Sequence, residues 1–155
     1  MPMAVFRASA SSSEYPEGYA TDQVDQDRKS SESKSPSISE YVPATTADSC
    51  IADFDDLSIR NCSYGDVAAT RTVALAGGSH AEHWITALDL LGKRYHFKVV
   101  TYLKMGCPLS TEQNPLVMGD NRPYPKCYEW NELVMPKLVA DHPSFVFTTS
   151  TRPWN

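Results

Sequence analysis

The sequence has no apolar run that could cross a bilayer and no cluster of basic residues. A transmembrane helix needs about 18–20 consecutive apolar residues, and no stretch of the 155-residue chain approaches that length. The 14 Lys and Arg residues are outnumbered by 19 Asp and Glu residues, so the net charge is −5. Because the basic residues form no patch, we expect no nucleic-acid partner.

The four cysteines lack the C-x-x-C spacing of zinc ribbons and thioredoxin-like motifs. They allow three pairings. The pairing that joins cysteines close in sequence, Cys50–Cys62 and Cys107–Cys127, closes two short loops. We expect these two disulfides, each adding about 3 kcal/mol of stability; the alternative is four buried thiols. Disulfides imply an oxidising compartment, yet the first residues do not resemble a signal peptide. We therefore expect a part of a longer exported or membrane-anchored protein.

The composition changes near residue 48. Residues 1–48 include the Ser-rich stretches 9–13 and 30–39, and they hold too little apolar surface to offset the entropy of folding. This pattern predicts a flexible linker over residues 1–48 and a folded domain over 49–155. The first part of that domain, residues 50–66, is expected to be irregular.

Strand and helix patterns alternate after residue 66. Short apolar runs predict strands at 72–76, 97–102 and 145–148, and spacings of three and four residues predict helices at 81–91 and 128–140. Pro136 should kink the second helix or mark a restart. The order predicts an α/β fold with a parallel sheet and helices on both faces. Three strands leave such a sheet incomplete at the C-terminus.

Ser79 lies between the first predicted strand and its helix, in the segment Leu75-Ala76-Gly77-Gly78-Ser79-His80-Ala81. Two glycines allow a sharp turn before the hydroxyl. The N–H groups of the first helical turn and the helix dipole favour negative charge beside it. In a parallel sheet this point lies at the carboxyl ends of the strands, where ligands bind. Ser79 is therefore a candidate nucleophile next to an oxyanion site.

Two other interpretations fit the same residues. Ser79 with Glu82 matches a capping box, in which a serine caps the helix and performs no chemistry. The segment also loosely fits the G-x-S-x-G turn of α/β-hydrolases, with Ala81 in the last position. That turn normally follows several strands, whereas here it follows the first one.

The segment from Val73 to Ala81 resembles the first conserved block of SGNH hydrolases. The closest resemblance is to the SGNH domain appended to acyltransferase-3 membrane proteins, which O-acylate cell-surface glycans. Further agreement lies in Gly106-Cys107-Pro108 after the second strand and in Cys127 followed by Trp130-Asn131. The resemblance covers about residues 50–155 and implies a three-layer α/β/α, flavodoxin-like fold.

The resemblance also implies roles for individual residues. Ser79 corresponds to the nucleophile and its N–H to an oxyanion donor, and Gly106 corresponds to the second donor. Other residues that would line the site are Gly78, His80, Arg152, Trp154 and Asn155. The chain departs from the family in two ways: Gly78 replaces the usual Asp, and the Asp-x-x-His that supplies the base has no match.

The histidines offer no clear substitute for that base. Asp141-His142 precedes the third strand, so we expect it at the amino edge of the sheet, roughly 17–20 Å from Ser79. His80 and His83 follow Ser79 closely, but H-x-x-H without further ligands favours a solvated helix face over a metal site. No metal or cofactor is implied.

The resemblance thus implies a domain for acyl transfer to hydroxyls of a cell-envelope glycan, with a serine nucleophile. The expected partners are a glycan acceptor, an acyl donor and a membrane acyltransferase domain of the full-length protein. The expected location is extracytoplasmic, with attachment to the membrane through an N-terminal portion beyond this chain. The isolated chain is expected to be inactive. The alternatives are a non-catalytic module that binds glycan or a partner, and a gene relic without function.

Overall fold

The computed structural model describes residues 42–117 and 121–149. Its elements in chain order are α1 (Ala44–Ala47), β1 (Ile51–Ala52), β2 (Ser63–Gly65), β3 (Thr72–Gly77), α2 (Ser79–Glu82), α3 (Ile85–Tyr95), β4 (Lys98–Lys104), α4 (Pro125–Ala140) and β5 (Phe145–Thr148). The three predicted strands correspond to β3, β4 and β5. They alternate with helices in the predicted order.

The central strand of the sheet is β3, which lies parallel to β4 on one side and to β5 on the other. Gly77 pairs with Leu103 of β4, and Ala76 pairs with Thr148 of β5. The three strands therefore end at the same edge of the sheet. This arrangement confirms the predicted α/β class and places the segment after β3 beside the segments after β4 and β5.

Two short strands occupy the other side of β4, where the sequence predicted an irregular segment. β1 runs parallel to the end of β4, with Ile51 opposite Leu103. β2 runs antiparallel to its beginning, with Tyr64 opposite Val99. The prediction for residues 50–66 was wrong here because pairing with β4 orders two pieces too short to show a strand pattern of their own.

Helices cover both faces of the sheet. On one face, residues of α3 pack with strand side chains in a core made of Leu75, Ala81, Ile85, Leu88, Val99 and Leu103. On the other face, residues of α4 pack in a core made of Ala74, Ala76, Tyr102, Cys107, Tyr124, Cys127, Trp130, Val134 and Leu138. Successive strand residues alternate between the two cores, as a strand buried on both faces requires. The molecule has the expected three layers.

The helices differ from the predicted ones in detail. The segment predicted as a helix over 81–91 is divided between α2 and α3 at His83 and Trp84. This break turns Trp84 outward, and its side chain is 49% exposed although its spacing predicted burial. In contrast, α4 begins three residues earlier than predicted and continues through Pro136.

The first described helix, α1, lies inside the segment predicted as a linker. Thr45 of this helix is fully buried, and its hydroxyl donates to the carboxylate of Glu82. The predicted boundary at Asp48 is therefore too late, because residues 43–48 belong to the folded part. The rest of the predicted linker, residues 1–41, lies outside the described residues.

Both expected disulfides are present. The Cα atoms are 5.9 Å apart in Cys50–Cys62 and 5.3 Å apart in Cys107–Cys127. The first bridge joins the segments on either side of the loop between β1 and β2, and the second joins the turn after β4 to α4. These bridges fit an extracytoplasmic domain. Among the described residues, no helix has both the length and the apolar character needed to span a membrane.

Candidate active site

Ser79 is the first residue of α2, immediately beyond the carboxyl end of β3. Gly77 has a φ of +133°, a conformation that L-residues with a side chain rarely adopt. A Cβ on Gly78 would lie 3.1 Å from the backbone nitrogen of Cys107. The first glycine thus permits the turn, and the second lets the chain pass close to the segment after β4. Ser79 is carried to the sheet edge and remains half-buried there.

The capping-box interpretation of Ser79 is wrong. The N-cap of α2 is Gly78, and no side chain caps the helix. Glu82 does not reach back to the start of the helix, because its carboxylate accepts the hydroxyls of Thr45 and Thr46, each at 2.6 Å. Gly78 starts the helix through its carbonyl, which accepts the N–H groups of Ala81 and Glu82. The hydroxyl of Ser79 is therefore not used to begin the helix.

Gly106 lies opposite Ser79, two residues beyond the end of β4. Its φ of +64° is left-handed, and the N–H of Cys107 bonds to the carbonyl of Lys104 to close the turn. A Cβ on Gly106 would lie 2.8 Å from Cε1 of Phe54. Both the torsion and the close aromatic ring favour glycine at this position.

A cavity of about 250 Å³ lies between these turns. Its lining residues are Phe54, Gly78, Ser79, His80, Met105, Gly106, Pro108, Val117 and Thr149. The structure thus brings together four of the residues expected in the site: Ser79, Gly106, Gly78 and His80. Three others, Arg152, Trp154 and Asn155, lie outside the described residues.

Thr149 provides an additional polar group that the sequence did not single out. Within the described part of the chain, its hydroxyl is buried and has no hydrogen-bond partner. Buried polar groups are nearly always satisfied, so a group of this kind in a cavity wall calls for a ligand or water. Its position directly after β5, the neighbour of β3, was a signal that could have identified it.

The turn after β4 is fixed to α4 by side-chain contacts as well as by the disulfide. The buried amide of Asn131 donates to the carbonyls of Pro108 and Cys127, each at 3.1 Å. Its oxygen accepts the N–H of Ser110 at 3.3 Å. The hydroxyl of Tyr124 donates to the carbonyl of Met105 at 2.8 Å. These bonds fix the residues before and after Gly106, so this wall of the cavity is held in place.

The buried aromatic residues near this turn belong to the core. Tyr102, Tyr124 and Trp130 are at most 5% exposed. Burial raises the pKa of Tyr102 and of Tyr124, and the nearby Asp141 carboxylate contributes to the shift at Tyr102. These side chains therefore cover the sheet and form no surface for stacking on sugar rings.

The histidines are distributed largely as expected. His142 precedes β5, where Ser144 donates its N–H to the carbonyl of Thr72, at the opposite edge from Ser79. Asp141 is held there by Lys137 and by the hydroxyl of Tyr102, contacts that lower the pKa of its carboxyl.

Near the site, His80 and His83 are exposed, with ring centroids 6.1 Å apart. In the ranges 42–117 and 121–149, no group of three or more His, Cys, Asp or Glu residues is arranged to hold a metal. Among the described residues, His80 is the histidine that lines the cavity beside Ser79, and its ring is exposed.

Comparison with known proteins identifies one family. The model of the SGNH domain that is fused to AT3 domains matches residues 45–152. This match begins inside α1 and includes every element from β1 to β5. No curated protein and no solved structure matches the chain.

Proposed function

The chain belongs to the family of SGNH domains fused to AT3 domains, and from this premise we propose that it is an acyl-transfer domain with Ser79 as its nucleophile. The substrates would be an acyl donor and a hydroxyl of a cell-envelope glycan. The proposed partner in the full-length protein is an AT3 domain, which we take to be a membrane acyltransferase. This partner would hold the domain at the extracytoplasmic face of the membrane.

The observation that supports this proposal most is the position of the Ser79 hydroxyl. It lines a cavity at the carboxyl edge of the sheet and does not cap its helix. In the proposed reaction, Ser79 Oγ attacks the acyl carbonyl carbon and passes its proton to a base. The bond between the acyl carbon and the donor then breaks, and the base gives its proton to the donor group as it leaves. The glycan hydroxyl next attacks the acyl-serine ester and loses its proton to the base, and Ser79 Oγ regains a proton as the ester bond to it breaks.

The proposed oxyanion donors are the N–H groups of Ser79 and Gly106. The first N–H groups of a helix have no partner within it, and the first hydrogen bonds of α2 come from Ala81 and Glu82. Gly106 lies in the same cavity wall, on a turn that is held by its neighbours on both sides. Two donors preorganised in this way would stabilise the negative charge on the carbonyl oxygen.

The base is proposed to come from a segment outside this chain. His80 is in the cavity wall, but among the described residues no Asp or Glu lines the cavity with it. The Asp-x-x-His of the family has no counterpart in the sequence. The isolated chain is therefore expected to react slowly at Ser79, since a serine hydroxyl without a base is a weak nucleophile.

A specific observation also favours a second candidate function, a non-catalytic binding module. Gly78 replaces the Asp of the family, and a Cβ there would already lie 3.1 Å from the nitrogen of Cys107. The close approach of the two turns thus leaves little room for the missing carboxylate. A module of this kind would use the same cavity for binding without acyl exchange.

Covalent labelling separates the two candidates. The folded chain would be incubated with an alkyl fluorophosphonate, and the modified residue would be identified by mass spectrometry. We expect one slow adduct on Ser79, none in Ser79→Ala, and wild-type labelling in Ser63→Ala, a control at an exposed serine. Equal labelling of many serines, or labelling no faster than in the urea-unfolded chain, would contradict a nucleophilic Ser79.

A further inference from the structure

The walls of the cavity beside Ser79 are mostly apolar. Phe54, Met105, Pro108 and Val117 form them, while the polar side chains in the wall, among residues 42–117 and 121–149, are those of Ser79, His80 and Thr149. A sugar ring carries a hydroxyl on most of its carbons, and burying these against apolar walls without partners is costly. The lining therefore fits the hydrocarbon part of an acyl group better than it fits a sugar.

The volume of the cavity indicates how much of that group it can enclose. A volume of about 250 Å³ holds roughly eight non-hydrogen atoms if each takes about 30 Å³, the share of a water molecule in the liquid. An acetyl group has three such atoms and would leave more than half of the space empty. A linear acyl group of about six carbons would fill it.

The ring of Phe54 lies where the cavity meets solvent, since it lines the cavity and its side chain is 39% exposed. It lies against Gly106, where a Cβ would come within 2.8 Å of it, and its centroid is 5.6 Å from that of Tyr124. A smaller side chain at position 54 would lengthen the cavity toward the surface.

Lys104 fixes the backbone that carries this ring. Its ammonium donates to the carbonyls of Asp53, Phe54 and Asp56 at 2.6, 2.8 and 2.6 Å. These bonds use all three donors of the ammonium, and the residue is fully buried. Lys104 lies on β4 and does not line the cavity, so any effect on a ligand would pass through Phe54.

We propose that the cavity is a pocket for acyl chains longer than acetyl, up to about six carbons, and that Phe54 sets this limit. Lys104 is a positioning residue that keeps Phe54 in place. The inference rests on the proposed function in one respect, namely that the acyl carbonyl lies at Ser79. The size and apolar lining of the pocket can be tested without any reaction.

The test is equilibrium binding of linear carboxamides, from acetamide to decanamide, to the Ser79→Ala variant, followed by NMR of the labelled chain. We expect affinity to rise about fourfold per methylene up to about six carbons and then to stop rising. Signals of Gly106 and Thr149 should shift during the titration. In Phe54→Ala the limit should move to longer chains by two or more carbons, whereas Phe145→Ala, an exposed control on β5, should keep it.

Lys104→Met tests the positioning role in the same titration. It keeps the length of the side chain but removes the three donors, so the limit at six carbons should disappear while acetamide binds as before. If this variant fails to fold, Phe54→Ala still decides the proposal. Equal affinity for all the amides, or the same limit in the wild type and Phe54→Ala, would overturn it.

The labelling experiment tests the nucleophile and the binding experiment tests the pocket, so one proposal can be contradicted while the other stands. A chain-length limit without phosphonate labelling of Ser79 would uphold the pocket and contradict the nucleophile. Labelling of Ser79 without any dependence of binding on chain length would contradict the pocket and leave the acyl-transfer proposal standing.

Discussion

The buried carboxylate of Glu82 accepts a 2.6 Å hydrogen bond from the buried hydroxyl of Thr45. Thr46 donates to the same oxygen at 2.6 Å. These bonds tie α1 to α2, the short helix that begins at Ser79. A helix of four residues has little stability of its own, so its orientation depends on tertiary contacts of this kind.

Removal of the Thr45 hydroxyl should destabilise the fold. Thr45→Val keeps the shape of the side chain but deprives the buried carboxylate of one of its two donors, which we expect to lower the free energy of unfolding by about 1.5–3 kcal/mol. Urea denaturation would measure the change. Thr70→Val, at an exposed site, is the control. A difference of less than about 0.5 kcal/mol between the two variants would show that this bond does not stabilise the fold.

Thr149→Val should have the opposite effect on stability. Its hydroxyl is buried without a partner in the described residues, so replacing it by a methyl group should leave the free energy of unfolding unchanged or raise it by up to about 1 kcal/mol. The same variant should bind hexanamide more weakly, because the hydroxyl is free to bond with the amide. A loss of stability like that of Thr45→Val would mean that the Thr149 hydroxyl already has a protein partner.

Gly106→Ala should damage both stability and the site. The φ of +64° strains any residue with a Cβ, and the added methyl group would meet the ring of Phe54. We expect a loss of more than about 1 kcal/mol in urea denaturation and slower phosphonate labelling of Ser79. Gly78→Ala has an ordinary φ of −97°, but its methyl group would lie 3.1 Å from the backbone nitrogen of Cys107, so it should lose stability through that contact alone. A loss in Gly106→Ala that is smaller than the loss in Gly78→Ala would contradict the importance of the left-handed torsion.

The disulfide between Cys107 and Cys127 should stabilise the cavity wall. A bridge that closes a 20-residue separation adds about 3 kcal/mol by restricting the unfolded chain. The double variant Cys107→Ser/Cys127→Ser should lose about this much in urea denaturation, and the backbone signals of Gly106 should broaden or shift. The matched control is Cys50→Ser/Cys62→Ser, which should lose a similar amount and leave Gly106 closer to its native position. Unchanged stability in the first double variant would contradict the role of the bridge.

The loop that carries Phe54 should weaken in acid. Hydrogen bonds from the backbone and side chain of Ser58, together with the charge of Arg60, lower the pKa of Asp56 to about 2. This value lies below the roughly 3.9 expected in the unfolded chain, so the carboxylate stabilises the fold above about pH 4. The contribution is lost as the pH falls toward 2. Since the side chain is 28% exposed, it should amount to about 1 kcal/mol or less.

Comparison with Asp56→Asn would measure this contribution. The difference in the free energy of unfolding between the wild type and the variant should be largest near pH 5 and should shrink between pH 4 and 2. Asp55→Asn, at an exposed neighbouring position, is the control. A difference that stays constant down to pH 2 would mean that the ionisation of Asp56 is not linked to folding.

The parts of the fold that follow from local pattern were predicted well. The apolar runs of β3 and β4 are buried by helices on both faces, and β5 pairs with β3 at the edge of the sheet. Continuous apolar runs of this length are visible in the sequence. β1 and β2 were missed because they are ordered by pairing with β4 and have no apolar period. Burial of Thr45 could not be predicted either, because it depends on a partner 37 residues away.

The same distinction applies to the site. Ser79 and Gly106 could be found because each follows a predicted strand, and the carboxyl ends of parallel strands meet at one edge. Phe54 lies in a loop without a pattern, and it is held at that edge by the three bonds from Lys104 and by the contact of its ring with Tyr124. A lysine in an apolar strand gave no indication that it would be buried and would hold a loop.

The two edges of the sheet differ in the length of the strands that form them. On the side of β4, the neighbours are β1 with two residues and β2 with three, and they run in opposite directions. On the other side, β5 presents four consecutive residues, with Phe145 and Val146 exposed. Within residues 42–117 and 121–149, the longest continuous row of amide groups at an edge of the sheet is that of β5, so a further strand, from this chain or from another, would pair best there. A sheet extended in this way would place the new strand directly beside the one that carries Thr149 to the cavity.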